Sequence, residues 1–136
     1  MSKSAIYTVN TSIQNLVDGS VLNLGSVIRR FGCNCQLSGN AIRVAGAGYY
    51  KLNASIIISP AAANTTITVT AFKDGAVIPG AQAQAAVATA ASPVTLPIEA
   101  IIRENCACCD DSSNINFVVT GGEATVSNIA VTVEKM

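Results

Sequence analysis

Five cysteines are the residues in this chain whose type and spacing could do chemistry. They fall in two clusters, Cys33-Asn34-Cys35 and Cys106-Ala107-Cys108-Cys109. In an extended strand residues i and i+2 project the same way, so Cys33 and Cys35 would point together, and so would Cys106 and Cys108. Two such pairs face to face could hold a tetrahedral zinc ion through four thiolates. They could equally close disulfides or pack as free thiols, which behave as small hydrophobes. Neither spacing is the C-x-x-C of a zinc ribbon. An odd count leaves at least one thiol unpaired within a chain, or paired across chains. Cys33, Cys35, Cys106, Cys108 and Cys109 are thus the candidate metal or disulfide residues, with zinc the one cofactor to consider.

The remaining residues argue against catalysis. The chain has no histidine, which removes the commonest general base and the usual partner of a Ser or Cys nucleophile. Asp18 and Asp74 precede glycines, where Asp has a turn-forming job. Asp110 and Asp111 are adjacent and would point apart in an extended chain, unlike a glycosidase pair. The spaced acidic ligands of a calcium loop are missing. Gly46 and Gly48 precede a strand pattern rather than a helix, so no phosphate-cradling loop is formed. The expectation is a protein that is not an enzyme, with no catalytic residue to name.

What must position these residues is a set of strands. Half of the 136 residues are hydrophobic, but aromatics make up only 4% and Trp is absent. The apolar content is therefore largely Ala, Val and Ile, and the two β-branched types favour a pleated sheet. Period-two alternation recurs along the chain. Tyr50, Leu52, Ala54, Ile56 and Ile58 share one parity. So do Ile67, Val69 and Ala71; Val94, Leu96, Ile98, Ala100 and Ile102; and Ile115, Phe117 and Val119. In the last run Ile129, Val131 and Val133 agree while Val126 is out of phase, which predicts a bulge near Ser127-Asn128. Asp18-Gly19, Asp74-Gly75 and Gly121-Gly122 read as two-residue hairpin turns. Pro60, Pro79 and Pro93 are expected to end or begin strands. Residues 81–91, rich in Ala and Gln, have helix propensity, but the alternation on both sides favours a strand of small side chains. The prediction is one all-β domain over residues 1–136, a jelly-roll β-sandwich of about eight to ten antiparallel strands.

Charge bounds the partners. Lys and Arg number eight, Asp and Glu eight, and together they are 12% of the chain, about half the usual share. A surface this poor in charge is expected to be covered in part by other copies of the chain. The longest basic run is Arg29-Arg30, so the clustered positive surface needed for nucleic acid is missing. No apolar stretch reaches membrane-spanning length. Met1-Ser2-Lys3-Ser4 opens without the apolar core of a secretion signal.

Some of these residues resemble a known family. Gly46-Ala47-Gly48-Tyr49-Tyr50-Lys51-Leu52 is similar to the Gly-x-Tyr strand opening of the tumour-necrosis-factor-like jelly-roll superfamily, which includes the trimeric heads of complement and of bacterial spore-surface collagen-like proteins. Ala71-Phe72-Lys73-Asp74-Gly75 resembles that family's Lys-Asn-Gly hairpin. The last strand, from Val126 to Val133, resembles the one that pairs with the first strand in the family. The aromatic-rich core of the family and the collagen-like stalk of the complement type are not matched. Arg29-Arg30-Phe31-Gly32-Cys33, the Gly-Tyr-Tyr stretch and the closing Val-Thr-Val-Glu-Lys-Met resemble small proteins coded by bacteriophages of gut-type bacteria. The resemblance implies a homotrimer with the 81–91 segment a candidate for close contact between subunits. It also implies a virion surface component (head decoration, head fibre or tail adhesin) with capsid or tail proteins as partners, made in the bacterial cytoplasm before assembly. A carbohydrate- or receptor-binding head, or a spore-surface-type trimeric head, is the alternative.

Overall fold

The computed structural model describes residues 4–32, 34–104 and 112–136. Eleven strands run β1 Ala5–Asn10, β2 Gln14–Leu16, β3 Ser26–Phe31, β4 Cys35–Ser38, β5 Ala41–Ala45, β6 Gly48–Pro60, β7 Thr65–Lys73, β8 Ala76–Val87, β9 Val94–Glu104, β10 Ser112–Thr120 and β11 Ala124–Lys135. One sheet has the order β3-β1-β11-β6-β9, with β2 also paired to β11; the other has the order β4-β5-β10-β7-β8. All pairings are antiparallel. The first and last strands pair from Ala5–Glu134 to Asn10–Ile129, as the family resemblance implies. The strand count is one above the expected range because the short β2 is a strand of its own.

The alternation in sequence is what closes the sandwich. Tyr50, Leu52, Ala54, Ile56 and Ile58 on β6, Ile67, Val69 and Ala71 on β7, and Ile115, Phe117 and Val119 on β10 all join one buried cluster. With a period of two, every apolar residue of a run falls on the inner face. The expected bulge in β11 is present: the register with β6 shifts between Val126 and Asn128. That extra residue lets Val126, Ile129, Val131 and Val133 all point inward and be buried.

Turn chemistry is less faithful to its local signal. Asp74-Gly75 makes a hairpin, with Lys73 opposite Ala76 and φ of 52° and 83°, the doubly positive pair that a type I′ turn needs. Gly121-Gly122 does not. It carries the chain from β10 in one sheet to β11 in the other. Asp18-Gly19 also joins no hairpin. It lies in a strap between β2 and β3 that stitches the two sheets. On one side β2 pairs with β11; on the other the Gly19 amide donates to the Val119 carbonyl (2.8 Å) and the Leu22 amide to that of Phe117 (2.9 Å). The strap delivers Leu22 and Leu24, both fully buried, to the core. The Asp18 carboxylate accepts from the Gly121 amide at 3.1 Å, so two of the three turn signals meet each other.

Proline placement needs one correction. Pro60 ends β6 and Pro93 directly precedes β9, but Pro79 lies inside β8. There Ile78, Pro79, Gly80 and Ala81 stand opposite Ala71 alone, between the pairs Phe72–Val77 and Thr70–Gln82. A proline is tolerated at such an irregularity on an edge strand, where its missing N–H breaks no ladder bond. The strand expected over 81–91 stops at Val87. Beyond it Ala91 takes a φ of 60° and its amide donates to the Pro60 carbonyl (2.8 Å), which turns the chain back.

Candidate functional site

The end of the sandwich where β4 and β6 begin and β9 finishes holds the described chemistry-bearing groups. Cys35 opens β4 and is fully buried, with a free thiol. Cys33, Cys106, Cys108 and Cys109 lie outside the described residues, as do Asp110 and Asp111. The surroundings of Cys35 are a polar lattice. The Ser4 hydroxyl donates to Asn34 Oδ1 (2.7 Å) and accepts from the Asn34 amide (3.2 Å). Asn34 Nδ2 donates to the Ala45 carbonyl (2.6 Å). The buried Tyr50 hydroxyl lies 2.8 Å from the carbonyls of both Ala45 and Gly46. Gly46 turns at φ 99° into space that a Cβ would contest with the Asn34 side chain, and Tyr50, the tyrosine of Gly48-Tyr49-Tyr50, bonds back onto that turn.

Burial pushes the Cys35 thiol up to about 11, with the nearby Lys135 charge pulling the other way. The thiolate is the nucleophile and the metal ligand, and burial disfavours that form at neutral pH. Burial also raises Tyr50, helped by the negative charges of Cys35 and Glu104 and opposed by a hydrogen bond from Asn34. Glu104, 7% exposed, pairs with Gly48 across β9 and β6, and its Oε2 finds no hydrogen-bond partner among the described residues.

Two surfaces stand out beside this end. On the open side between β8 and β9, a groove of about 220 Å³ is lined by Lys73, Val77, Ile78, Pro79, Ile101 and Arg103. Its rim is apolar: Val77 is 56% exposed, Ile101 62% and, alongside, Tyr49 51%. The Lys73 ammonium donates to the Arg103 carbonyl (2.8 Å), and the Arg103 guanidinium lies 5.9 Å from the Tyr49 ring centre. The second surface is the outer face of the β3-β1-β11-β6-β9 sheet. Its middle is a shallow depression of about 300 Å³ floored by Asn53, Ser55, Ala130 and Thr132, with Pro97 and Glu99 at its side. Small uncharged residues line most of it.

The rim of the groove was missed by sequence reasoning, although its signal was there. Ile101 falls on the polar parity of β9, between Ala100 and Ile102. Val77 follows a hairpin, where an apolar side chain has no core to enter. An apolar residue on the wrong parity is the mark of a second buried surface. The 81–91 alanines spend their smallness elsewhere: Ala81 is buried, Ala83 and Ala85 pack against the core, and Gln82, Gln84 and Ala86 face out.

At the level of sequence no family model and no curated protein matches. Solved structures do. Murine APRIL superposes with a TM-score of 0.74 at 12% identity, covering 99% of this chain and 100% of the other. Eiger TNF from S. frugiperda gives 0.68 at 11%, covering 98% and 91%. The fold is the TNF-like jelly roll. The PRD1 vertex protein P5 shares it, with a TM-score of 0.66 at 12% identity and coverage of 98% and 96%. A jelly roll hosts many functions, so what the likeness fixes is architecture.

Proposed function

We propose that this chain is a non-enzymatic structural protein that assembles as a homotrimer and serves at the surface of a virus particle. The observation that carries the assembly is the paired surface just described. One edge of the chain offers an apolar rim of Val77, Ile101 and Tyr49, and the outer face of a sheet offers a depression floored by small uncharged residues, with Glu99 at its side. Two different patches on one chain suit a head-to-tail contact, which closes into a ring when the rotation allows. In a chain with 12% charged residues, such a contact removes the exposed Val77, Ile101 and Tyr49 from water. The virion role is supported by the fold shared with a phage vertex protein.

Molar mass in solution tests the assembly. The expected value is three times the 13.9 kDa chain, unchanged by reductant or chelator. Ile101→Glu should bring it to a single chain mass while the β-sheet circular dichroism is retained, because a buried unpaired carboxylate at an interface is strongly unfavourable. A wild-type protein that runs as one chain would end the proposal. A mass that collapses only on reduction or chelation would assign assembly to the cysteines instead of the apolar rim. Binding to particles without binding to a glycan array supports the virion role; the reverse result favours a carbohydrate-binding head.

A further inference from the structure

Among the described residues, β3 and β9 flank one sheet, with the short β2 beside β11, and β4 and β8 flank the other. β9 is interrupted by Pro97 and β8 by Pro79 within a register irregularity; each proline removes one donor that an added strand would need. β4 is four residues long. The remaining edge, β3, has the sequence Ser-Val-Ile-Arg-Arg-Phe, six residues without Pro or Gly, all exposed. Val27 is 40% exposed, Ile28 51% and Phe31 60%. By register Val27 and Arg30 sit beside the buried Thr8 and Ile6, on the inner side, and are nevertheless exposed. Among the described residues, side chains on both faces of β3 are therefore accessible.

We propose that β3 is a docking strand for an extended, acidic segment of a partner protein, added edge-on to the sheet. Main-chain bonds along the free edge would supply affinity, and side chains on alternate faces would supply selectivity. The charge decides the occupant. Arg29 and Arg30 are two of the eight basic residues of the chain, adjacent in sequence and, beside Tyr7 and Ile6, on opposite faces of the strand. Neither β3 nor its neighbour β1 contains an acidic residue, and no ion pair engages either arginine among the described residues. An incoming strand with carboxylates would find two unopposed cations beside Val27, Ile28 and Phe31. A second copy of β3 is disfavoured, because it would set Arg29 and Arg30 against the same pair. The docking strand is the edge of the sheet whose middle, on β6, β9 and β11, carries the depression assigned to the trimer.

The probe is a short synthetic peptide with two adjacent glutamates flanked by valines, so that one carboxylate falls on each face of the added strand, titrated by fluorescence anisotropy into the full-length protein at low salt. Three controls go with it: the same peptide with lysine for glutamate, the same peptide with alternate amides N-methylated, and the protein with Arg29→Glu and Arg30→Glu. The acidic peptide should bind, and the double variant should weaken it by about tenfold, as expected for reversing two exposed charges. The lysine and N-methylated peptides should not bind measurably. Arg29→Lys with Arg30→Lys should keep the affinity, and the glutamate variant should keep the molar mass of the wild type. Absent binding, equal binding of the N-methylated peptide, or an affinity indifferent to charge reversal would overturn the proposal. So would a change in oligomer mass in the glutamate variant, which would assign β3 to self-assembly.

Discussion

Cys35 shows how burial decides chemistry at a single residue. Its thiol stays protonated in the folded chain up to about pH 11, against an ordinary value of 9.0. The folded state therefore holds that proton more tightly than the unfolded chain. The stability this contributes is complete below pH 9 and is lost as pH rises toward 11. Tyr50, shifted in the same direction, adds to the slope at the upper end. Urea unfolding between pH 8 and pH 11 should show stability falling with pH, and Cys35→Ala should make that fall shallower whatever it does to the neutral-pH value. An identical slope in the variant would contradict the shift. Tyr50→Phe tests the lattice around the thiol. It leaves the Ala45 carbonyl served by Asn34 but strands the carbonyl of Gly46. The expected cost is about 1–2 kcal/mol by urea unfolding.

At the level of elements, two glycines of similar φ should respond differently. Gly75 sits at φ 83° with open space where a Cβ would go. Gly75→Ala should cost about 1 kcal/mol, the penalty of a left-handed conformation alone. Gly121 sits at φ 104°, and its Cβ would run into the carbonyl oxygen of Thr66. Gly121→Ala should cost clearly more, at least about 2 kcal/mol, because backbone must move as well. Equal losses in thermal or urea unfolding would show that the crossover from β10 to β11 has slack that this geometry denies. Both positions carry the same turn chemistry in sequence. One closes a hairpin within a sheet and the other crosses between sheets, and nothing within four residues of either distinguishes them.

For the whole molecule the decisive feature is how the edges are managed. Prolines interrupt β8 and β9, β4 is short, and β3 is uninterrupted and exposed along its length. The apolar rim at β8–β9 predicts the response of molar mass to Ile101→Glu, and the open basic edge predicts the response of peptide binding to charge reversal at Arg29 and Arg30. The two predictions use different surfaces and different readouts, so each can fail alone. The fold tolerates both variants, because Ile101, Arg29 and Arg30 are exposed and contribute nothing to the buried cluster.

The sequence by itself determined the sheet character, the inner face of β6, β7, β9, β10 and β11, and the bulge at Ser127-Asn128. These follow from a side-chain period of two, which is local and needs only a few consecutive residues to read. It also determined the pairing of first and last strands, through ordered motifs that resemble a known jelly roll. Tertiary structure alone decided the rest. The strap of residues 14–22, the crossing at Gly121-Gly122, the bulge that houses Pro79, the exposure of Ile101 and Val77 and the open edge at β3 all depend on which strand becomes whose neighbour. Neighbours in a sandwich are distant in sequence: β1 pairs with β11, and β6 with β9 and β11. A local pattern tells a residue which way to point, but only the assembled sheets tell it whether anything is there to meet it.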